Sequence, residues 1–266
     1  MSREIDPIDY TKGIVKEAGQ ELASFFGDSS MTRIRRRGKN PQTLADIYVN
    51  KVIRNSICRY FPNHAIKTEE TKDHNPFYWN YQSDYVWIVD PCDGTINYIS
   101  GIPFFSVSIA LSYKRKVIMG VVYDPIRDEM FSAELANGAK LNDSLIRVSR
   151  KRRISDATFG IDIYPDLGLI DKEVRLLQIL AGKVRVVRSF YSGALELSYL
   201  AAGRIDIRVD DSYKPWDVAA GQLIASEAGA KLTDINNKPW SLASRSLLAA
   251  NPILHKMVIQ LLKRNK

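Results

Sequence analysis

The sequence is poor in the residues on which several classes of protein depend. Only two of its 266 residues are cysteines, Cys58 and Cys92, and neither belongs to a C-x-x-C pair. This excludes a disulfide framework and favours a reducing, intracellular setting. The three histidines, at positions 64, 74 and 255, are scattered and lack the spacing of metal ligands.

Long apolar segments are also missing. No stretch approaches the length needed to cross a bilayer, and the N-terminal residues MSREIDPIDY lack the basic-then-apolar order of a secretion signal. We therefore expect a cytoplasmic protein that has no membrane partner.

Several well-known catalytic motifs are absent from the sequence. It contains no G-x-x-x-x-G-K phosphate loop, no G-x-G-x-x-G dinucleotide motif and no G-x-S-x-G nucleophile elbow. Carboxylates therefore remain as the candidate catalytic groups.

The formal net charge is +8, and much of it comes from two short segments, residues 33–39 and 150–153. A basic surface is one mark of nucleic-acid binding, but aromatic side chains do not alternate with either run, as base stacking on single strands requires. We interpret both runs as solvated loops and expect no nucleic-acid partner. Attraction of anionic substrates is a third interpretation of the same charge.

The composition is that of an ordinary globular protein, with 45% hydrophobic and 26% charged residues. Helical and strand-like patterns are mixed along the whole chain, which predicts a layered α/β architecture. We expect one domain over 1–266, with an N-terminal α+β half (about 1–150) and a C-terminal α/β half (about 151–266). The predicted helices are 7–26, 44–61, 192–202, 217–228 and one from 252; the predicted strands are 65–68, 85–90, 105–113, 116–124, 129–134, 158–163, 183–187 and 246–250.

The clearest chemical signal is the run W-I-V-D-P-C-D-G-T-I-N at residues 87–97. An apolar strand ends at Asp90, since Pro91 cannot continue a central strand, and Asp93 follows after a tight turn. Two carboxylates at a strand end suit a hard cation that prefers oxygen ligands. An Asp-rich capping turn is the alternative, but Glu69-Glu70 and Trp216-Asp217 supply two further acidic element ends and favour a metal site.

These motifs resemble the inositol monophosphatase family, whose superfamily also contains fructose-1,6-bisphosphatases and adenosine bisphosphate phosphatases. Residues 87–97 match W-[IV]-[IV]-D-P-[IL]-D-G-T-x-N, and residues 216–221 match W-D-x-A-A-G. Thr68-Glu69-Glu70 resembles the G-E-E segment with threonine in place of glycine, and residues 43–46 match T-x-x-D. The resemblance covers nearly the whole chain and implies an alternating αβαβα sandwich and a homodimer.

The resemblance also implies a site that holds two or three Mg²⁺ ions. Glu69, Asp90 and the backbone carbonyl of Cys92 would hold the first, and a third would depend on Glu69 and water. Thr95, hydrogen-bonded to Asp46, would orient and help deprotonate the attacking water. The ligands of the second ion would be Asp90, Asp93 and Asp217.

Substrate contacts are implied by the same resemblance. The amides of Gly94 and Thr95 face a phosphate if a short helix begins at Thr95, and Asp93 borders this turn. Asp210 aligns with an acid that binds inositol hydroxyls, although a surface carboxylate is the alternative. The other candidate contacts are Arg188, Tyr191 (where glycine is usual), Ser192 and Lys214. A second anion site, which a substrate with two phosphates would occupy, is predicted from Arg188, Arg208, Tyr213 and Lys214, with a solvated side chain as the alternative for each.

The small-molecule partner is therefore expected to be a phosphate ester. The archaeal branch of the family, which hydrolyses both inositol monophosphate and fructose 1,6-bisphosphate, resembles this chain in length and in its D-G-T-x-N core. An adenosine 3′,5′-bisphosphate phosphatase is the alternative within the class, and a nucleic-acid-binding protein or a catalytically silent scaffold is the alternative outside it. We also predict that the basic loop of residues 33–42 is mobile without ligand and closes over the site.

Overall fold

The computed structural model describes residues 6–36, 41–70, 79, 81–164, 170–211 and 213–265. Within these residues a single-turn 3₁₀ helix lies at Ile154–Asp156. The α-helices are α1 (Pro7–Phe25), α2 (Leu44–Tyr60), α3 (Thr95–Ile99), α4 (Ile170–Leu180), α5 (Gly193–Ala201), α6 (Pro215–Glu227) and α7 (Pro252–Arg264).

Two sheets and one small hairpin contain the strands of the described residues. The hairpin pairs β1 (Ile34–Arg36) with β2 (Gln42–Thr43). The first sheet has the order β3-β4-β5-β6-β7-β8-β9, and only its β3–β4 pair is parallel. Its strands are β3 (Ala65–Thr68), β4 (Tyr85–Asp93), β5 (Ser106–Tyr113), β6 (Lys116–Asp124), β7 (Glu129–Glu134), β8 (Ala139–Leu141) and β9 (Ser144–Ile146).

The second sheet has the order β11-β10-β12-β14-β13. Its first three strands are parallel, and β14 runs antiparallel to both β12 and β13. The strands are β10 (Thr158–Gly160), β11 (Val186–Arg188), β12 (Ile207–Asp210), β13 (Lys231–Thr233) and β14 (Leu247–Ala250).

Helices and sheets alternate in five layers. Helices α1 and α2 pack on one face of the first sheet, α5 and α6 contact both sheets, and α7 packs on the second sheet beside α4. Three clusters of buried apolar side chains fill the spaces between the layers. This arrangement confirms the predicted αβαβα fold class.

Local sequence signals explain where several helices begin. The Asp6 carboxylate accepts a hydrogen bond from the amide of Ile8 at the start of α1, with proline at the first helical position. Helix α2 begins with a capping box in which the Thr43 hydroxyl and the Asp46 carboxylate each accept from the other residue's amide. The Asn251 side chain caps α7 and directly precedes Pro252, as Asp6 precedes Pro7 in α1.

The expectation that β4 ends at Asp90 is wrong. Asp90 pairs with Ser108 and Asp93 pairs with Ser106, so the ladder resumes after a bulge that contains Pro91 and Cys92. A bulge leaves its extra residue unpaired, which accommodates a proline that has no amide hydrogen to donate.

The predicted basic lid falls partly outside the described residues, since residues 37–40 are not among them. Its two ends, Ile34–Arg36 and Gln42–Thr43, form the β1–β2 hairpin directly before α2. The structure therefore leaves the mobility of the loop as a prediction. In the described part of the chain no helix is long and apolar enough to cross a membrane.

Candidate active site

The acidic side chains singled out in the sequence lie at the carboxyl ends of two adjacent strands. Strands β3 and β4 are parallel, so Glu69, which follows β3, lies on the same sheet edge as Asp90. The Glu69 amide donates to the Val89 carbonyl at 3.2 Å, which keeps the acidic residue beside β4. The Cys92 amide donates to Asp90 Oδ1 at 3.0 Å and shapes the bulge around it.

The N-terminus of α6 brings the C-terminal motif to this edge. Asp217 is the third residue of α6, and its Oδ2 accepts a hydrogen bond from the Lys214 amide at 2.6 Å. Lys214 therefore contributes its backbone to the start of the helix, while its side chain is partly exposed. Helix α6 begins at Pro215, two residues before the predicted start, because Asp217 caps it from inside the first turn.

Asp93 is the most heavily hydrogen-bonded of the candidate ligands. The Ser192 hydroxyl donates to its Oδ2 at 2.6 Å, the Ala194 amide donates to the same oxygen at 3.0 Å, and the Gly193 amide donates to Oδ1 at 3.1 Å. These donors lie at the N-terminus of α5, where backbone amides have no partner within the helix. Asp93 thus joins the bulge of the first sheet to a helix of the C-terminal half.

Burial and mutual repulsion disfavour the charged forms of these carboxylates. Burial, together with Asp217 and Glu70, raises the pKa of Glu69 well above its ordinary value. Burial and the charge of Glu69 do the same to the pKa of Asp90. Burial also raises the pKa of Asp93 to about 6 and that of Asp217 to about 7, although hydrogen bonds to each carboxylate partly oppose the effect.

The donor set fits a hard divalent cation by its chemistry. Every candidate side-chain ligand supplies oxygen, which Mg²⁺ prefers, and no salt bridge links Glu69, Asp90, Asp93 or Asp217 to a lysine or arginine within the described residues. In that same part of the chain, no three such groups converge closely enough to enclose an ion. The site is an open array of like charges that a bound cation would stabilise.

The expected hydrogen bond between Thr95 and Asp46 is not formed. The Thr95 hydroxyl donates to the Cys92 carbonyl at 2.9 Å. Asp46 Oδ2 accepts from the amide and hydroxyl of Thr43, since it closes the capping box of α2. Among the described residues Asp46 Oδ1 is buried and has no hydrogen-bond partner, and burial raises the pKa of this carboxyl while hydrogen bonds from Thr43 and Cys92 oppose the rise.

The candidate substrate contacts differ in backbone conformation, hydrogen bonding and exposure. Gly94 has φ 98°, and a Cβ atom there would lie 3.0 Å from the Phe104 carbonyl oxygen, so the turn requires glycine. Tyr191 also has a left-handed backbone (φ 56°), which explains why glycine is usual at this position. Its hydroxyl donates to the Ile163 carbonyl at 2.6 Å. The Arg188 side chain is exposed, with Nη1 donating to the Val187 carbonyl.

Two residues assigned to a second anion site have other partners. Arg208 is 1% exposed and forms ion pairs with Asp162, Glu196 and Asp210. The Tyr213 hydroxyl donates to backbone carbonyls at Ser244 and Ser246 and accepts from Trp240 Nε1. The expectation that Arg208 and Tyr213 bind a substrate anion is therefore wrong.

Asp162 has a role at this site that its sequence context does not predict. The sequence does indicate that Arg208 needs a partner, because this arginine lies between the apolar residues Ile207 and Val209 in a short strand followed by helix-forming sequence. A cation in a fully buried strand needs carboxylate partners close by, and Asp162 and Glu196 meet this need together with Asp210 of the same strand. The sequence separation of Asp162 and Glu196 from Arg208 concealed their contacts.

Comparisons with known proteins agree with this geometry. The inositol monophosphatase family matches residues 4–266. A protein named fructose-1,6-bisphosphatase/inositol-1-monophosphatase from Thermotoga maritima is 30% identical over 256 residues, 96% of this chain and 95% of its own. A protein named Nus factor SuhB from Pasteurella multocida is 38% identical over 209 residues, 76% of this chain and 75% of its own.

A crystal structure of the extragenic suppressor protein SuhB from Bartonella henselae superimposes with a TM-score of 0.88 at 32% identity. The match covers 96% of this chain and 98% of that one. The match to the family over nearly the full length, together with the acidic sheet edge, identifies the chain as a phosphatase of the inositol monophosphatase family.

Proposed function

We propose that this chain is a magnesium-dependent phosphatase that hydrolyses inositol monophosphate, fructose 1,6-bisphosphate or both. The observation that carries the proposal is the gathering of Glu69, Asp90, Asp93 and Asp217, none of which forms a salt bridge with a lysine or arginine in the described residues, although the charge of Lys214 partly lowers the pKa of Asp217. Such a cluster is costly to maintain in a folded protein unless a cation binds it. The relative from Thermotoga maritima carries both activities in its name.

In this proposal the chain's own groups hold the ions and the substrate. Glu69, Asp90 and the Cys92 carbonyl would hold one Mg²⁺, and Asp90, Asp93 and Asp217 would hold another. A third ion would depend on Glu69. When bound, the cations offset the negative charge of the phosphate ester and of the leaving oxygen, which otherwise repel a nucleophile.

The protein positions the reacting groups. Ser192 and the first amides of α5 hold Asp93 in one orientation, so the ligand is placed before any cation arrives. The Thr95 hydroxyl lies at the start of α3 and donates to the Cys92 carbonyl, so it would accept a hydrogen bond from the attacking water. The family's homodimer and the substrate contacts at Gly94, Arg188, Tyr191, Asp210 and Lys214 remain proposals.

A phosphate-release assay tests the proposed activity. Purified protein is given inositol 1-phosphate, fructose 1,6-bisphosphate or adenosine 3′,5′-bisphosphate, each with Mg²⁺ and with excess chelator. We expect turnover of one or both of the first two substrates with Mg²⁺ and none in chelator. Full turnover in chelator contradicts the metal dependence, and turnover of adenosine 3′,5′-bisphosphate alone favours the alternative substrate.

Thr95 provides a second test. If its hydroxyl orients the attacking water, Thr95→Ala lowers kcat by about a hundredfold or more and changes KM much less. Thr95→Ser retains the hydroxyl and serves as the matched control, with kcat close to that of the wild type. Equal rates for Thr95→Ala and Thr95→Ser would show that the hydroxyl does not act on the water.

The name Nus factor SuhB on a 38% identical relative is the observation that favours a second candidate, action as a Nus factor. The two candidates are tested by different assays, and one does not exclude the other. A salt-sensitive mobility shift with oligonucleotides would support a nucleic-acid-binding role for this chain. Hydrolysis of phosphate esters without such a shift would support the phosphatase activity alone.

A further inference from the structure

A buried network of four charged side chains lies behind the loop that holds Asp93. Its centre is Arg208, with Nη2 2.8 Å from Asp162 Oδ2 and 2.8 Å from Asp210 Oδ2, and Nη1 3.0 Å from Glu196 Oε2. Asp162 and Glu196 are buried, with exposed fractions of 4% and 0%. Three carboxyl groups and one guanidinium in a space closed to solvent carry a large desolvation cost, which their mutual contacts must offset.

Asp162 connects this network to the backbone of the loop. Its Oδ1 accepts three hydrogen bonds, from the Ser189 hydroxyl at 3.0 Å and from the amides of Phe190 at 3.1 Å and Tyr191 at 3.0 Å. Glu196 Oε1 lies 3.3 Å from the Phe190 amide. Because Arg208 Nη2 donates a hydrogen bond to the other oxygen, Oδ2, the guanidinium fixes the orientation of the Asp162 carboxylate.

The loop has a backbone conformation that needs such support. Tyr191 has φ 56°, a left-handed value that is unfavourable for a residue with a large side chain. Hydrogen bonds from its amide to Asp162 and from its hydroxyl to the Ile163 carbonyl hold it there. The next residues are Ser192, Gly193 and Ala194, whose donors bind Asp93.

We propose that Arg208 is a positioning residue for the acidic site. By holding Asp162, it keeps residues 189–191 in the conformation that directs the Ser192 hydroxyl and the first amides of α5 onto Asp93. Arg208 touches neither substrate nor cation in this arrangement and acts through two sets of hydrogen bonds. The part of the proposal that concerns metal affinity rests on the proposed function, whereas the part that concerns the loop does not.

The test compares two variants with a matched control. Arg208→Lys retains the positive charge but loses the planar fork that bridges several carboxylates at once. Asp162→Asn retains the volume of the side chain but loses the charge that Arg208 holds. The control is Asp206→Asn, because Asp206 is also buried (2% exposed) and ion-paired, with Oδ2 2.7 Å from Lys151 Nζ, and none of its hydrogen bonds in the described residues leads to residues 189–194.

Hydrogen exchange of the metal-free proteins gives the first readout. We expect the amides of residues 189–195 to exchange about tenfold faster or more in Arg208→Lys and Asp162→Asn than in the wild type. The Asp206→Asn control should leave these amides unchanged while it lowers the melting temperature by a similar amount. Unchanged exchange at residues 189–195 in both network variants would overturn the proposal, whatever the protein's activity.

Calorimetric titration with Mg²⁺ gives the second readout. Loss of a group that orients a metal ligand typically weakens affinity by about 10- to 100-fold, so Arg208→Lys should bind Mg²⁺ at least tenfold more weakly. Asp206→Asn should stay within about twofold of the wild type. If the wild type itself fails to bind Mg²⁺, the proposed metal site is wrong, and hydrogen exchange still decides the role of Arg208.

If one of the two network variants does not fold, the other variant is used for both readouts. If neither folds while Asp206→Asn does, the network serves stability alone, and the proposal is overturned.

Discussion

Replacing Asp90 with asparagine is expected to abolish turnover and to leave the fold intact. Asp90 lies between Glu69 and Asp93 at the bulge of β4 and is a proposed ligand of both ions. Charge stabilisation by a bound cation contributes several kcal/mol to phosphoryl transfer, so kcat should fall by about a thousandfold or more. The measurement is phosphate release at saturating Mg²⁺, and added metal should not restore the rate.

The same variant is expected to melt at a higher temperature than the wild type when no metal is present. The raised pKa values mean that the folded protein binds protons more tightly than the unfolded chain. Stability is therefore lost as the pH rises from about 4 through the values of about 6 for Asp93 and about 7 for Asp217. Asp90→Asn removes one of the repelling charges, so its advantage in melting temperature should grow across this range.

Magnesium should reverse the order of the two melting temperatures. A cation that binds only the folded state stabilises it in proportion to its affinity, and the wild type has the stronger site. Glu227→Gln is the control, because this carboxylate accepts hydrogen bonds from the amides of Ala136 and Gly138 in a turn of the first sheet. It should behave like the wild type in activity and in its response to Mg²⁺. A wild type whose melting temperature ignores both pH and Mg²⁺ would contradict the assignment of a metal site.

Gly221→Ala is expected to lower the free energy of unfolding, and Gly221→Val is expected to lower it further. A Cβ atom at this position would lie 2.7 Å from Leu197 Cβ and 2.9 Å from the Ala194 carbonyl oxygen, where α5 and α6 pack against each other. Overpacking of this kind typically costs about 1–3 kcal/mol for a methyl group, and Gly221→Val should cost more. Because Ala194 donates its amide to Asp93, the displaced helix should also weaken Mg²⁺ binding.

Gly13→Ala is the matched control for this prediction. Gly13 is also a glycine within a helix, but a Cβ atom there would meet nothing within 4 Å. Alanine in an exposed helical position stabilises by about 0.5–1 kcal/mol relative to glycine. Urea denaturation should therefore show shifts of opposite sign for Gly13→Ala and Gly221→Ala. Shifts of the same sign would show that the α5–α6 contact is looser than the structure indicates.

The sequence by itself determined the features that depend on neighbouring residues. Capping residues before prolines, as at Asp6-Pro7, mark helix starts that the structure confirms. Apolar runs with β-branched residues predicted the long strands of the first sheet within a few positions, because those strands are buried on both faces. The acidic motifs predicted carboxylates at a strand end and at a helix start, where Asp93 and Asp217 accept hydrogen bonds from backbone amides.

The short strands of the second sheet were harder to predict. Strands β10 and β11 have three residues each, β11 begins three residues after the predicted start, and β12 and β13 were not predicted. Strands of this length carry too few residues for a periodic pattern to show. Their bounds are set by which neighbours they pair with, and those neighbours come from distant parts of the chain.

Only the tertiary structure decided what Arg208 and Asp93 bind. Asp46 is different, because its capping partner Thr43 is a local one, and the Thr95 hydroxyl donates to the Cys92 carbonyl although Asp46 Oδ1 has no hydrogen-bond partner among the described residues. Arg208 is a buried cation because Asp162 and Glu196, 46 and 12 positions earlier, converge on it. Asp93 is held by donors about 100 residues further along the chain, and that distance is closed by packing α5 between the two sheets, which no local pattern encodes.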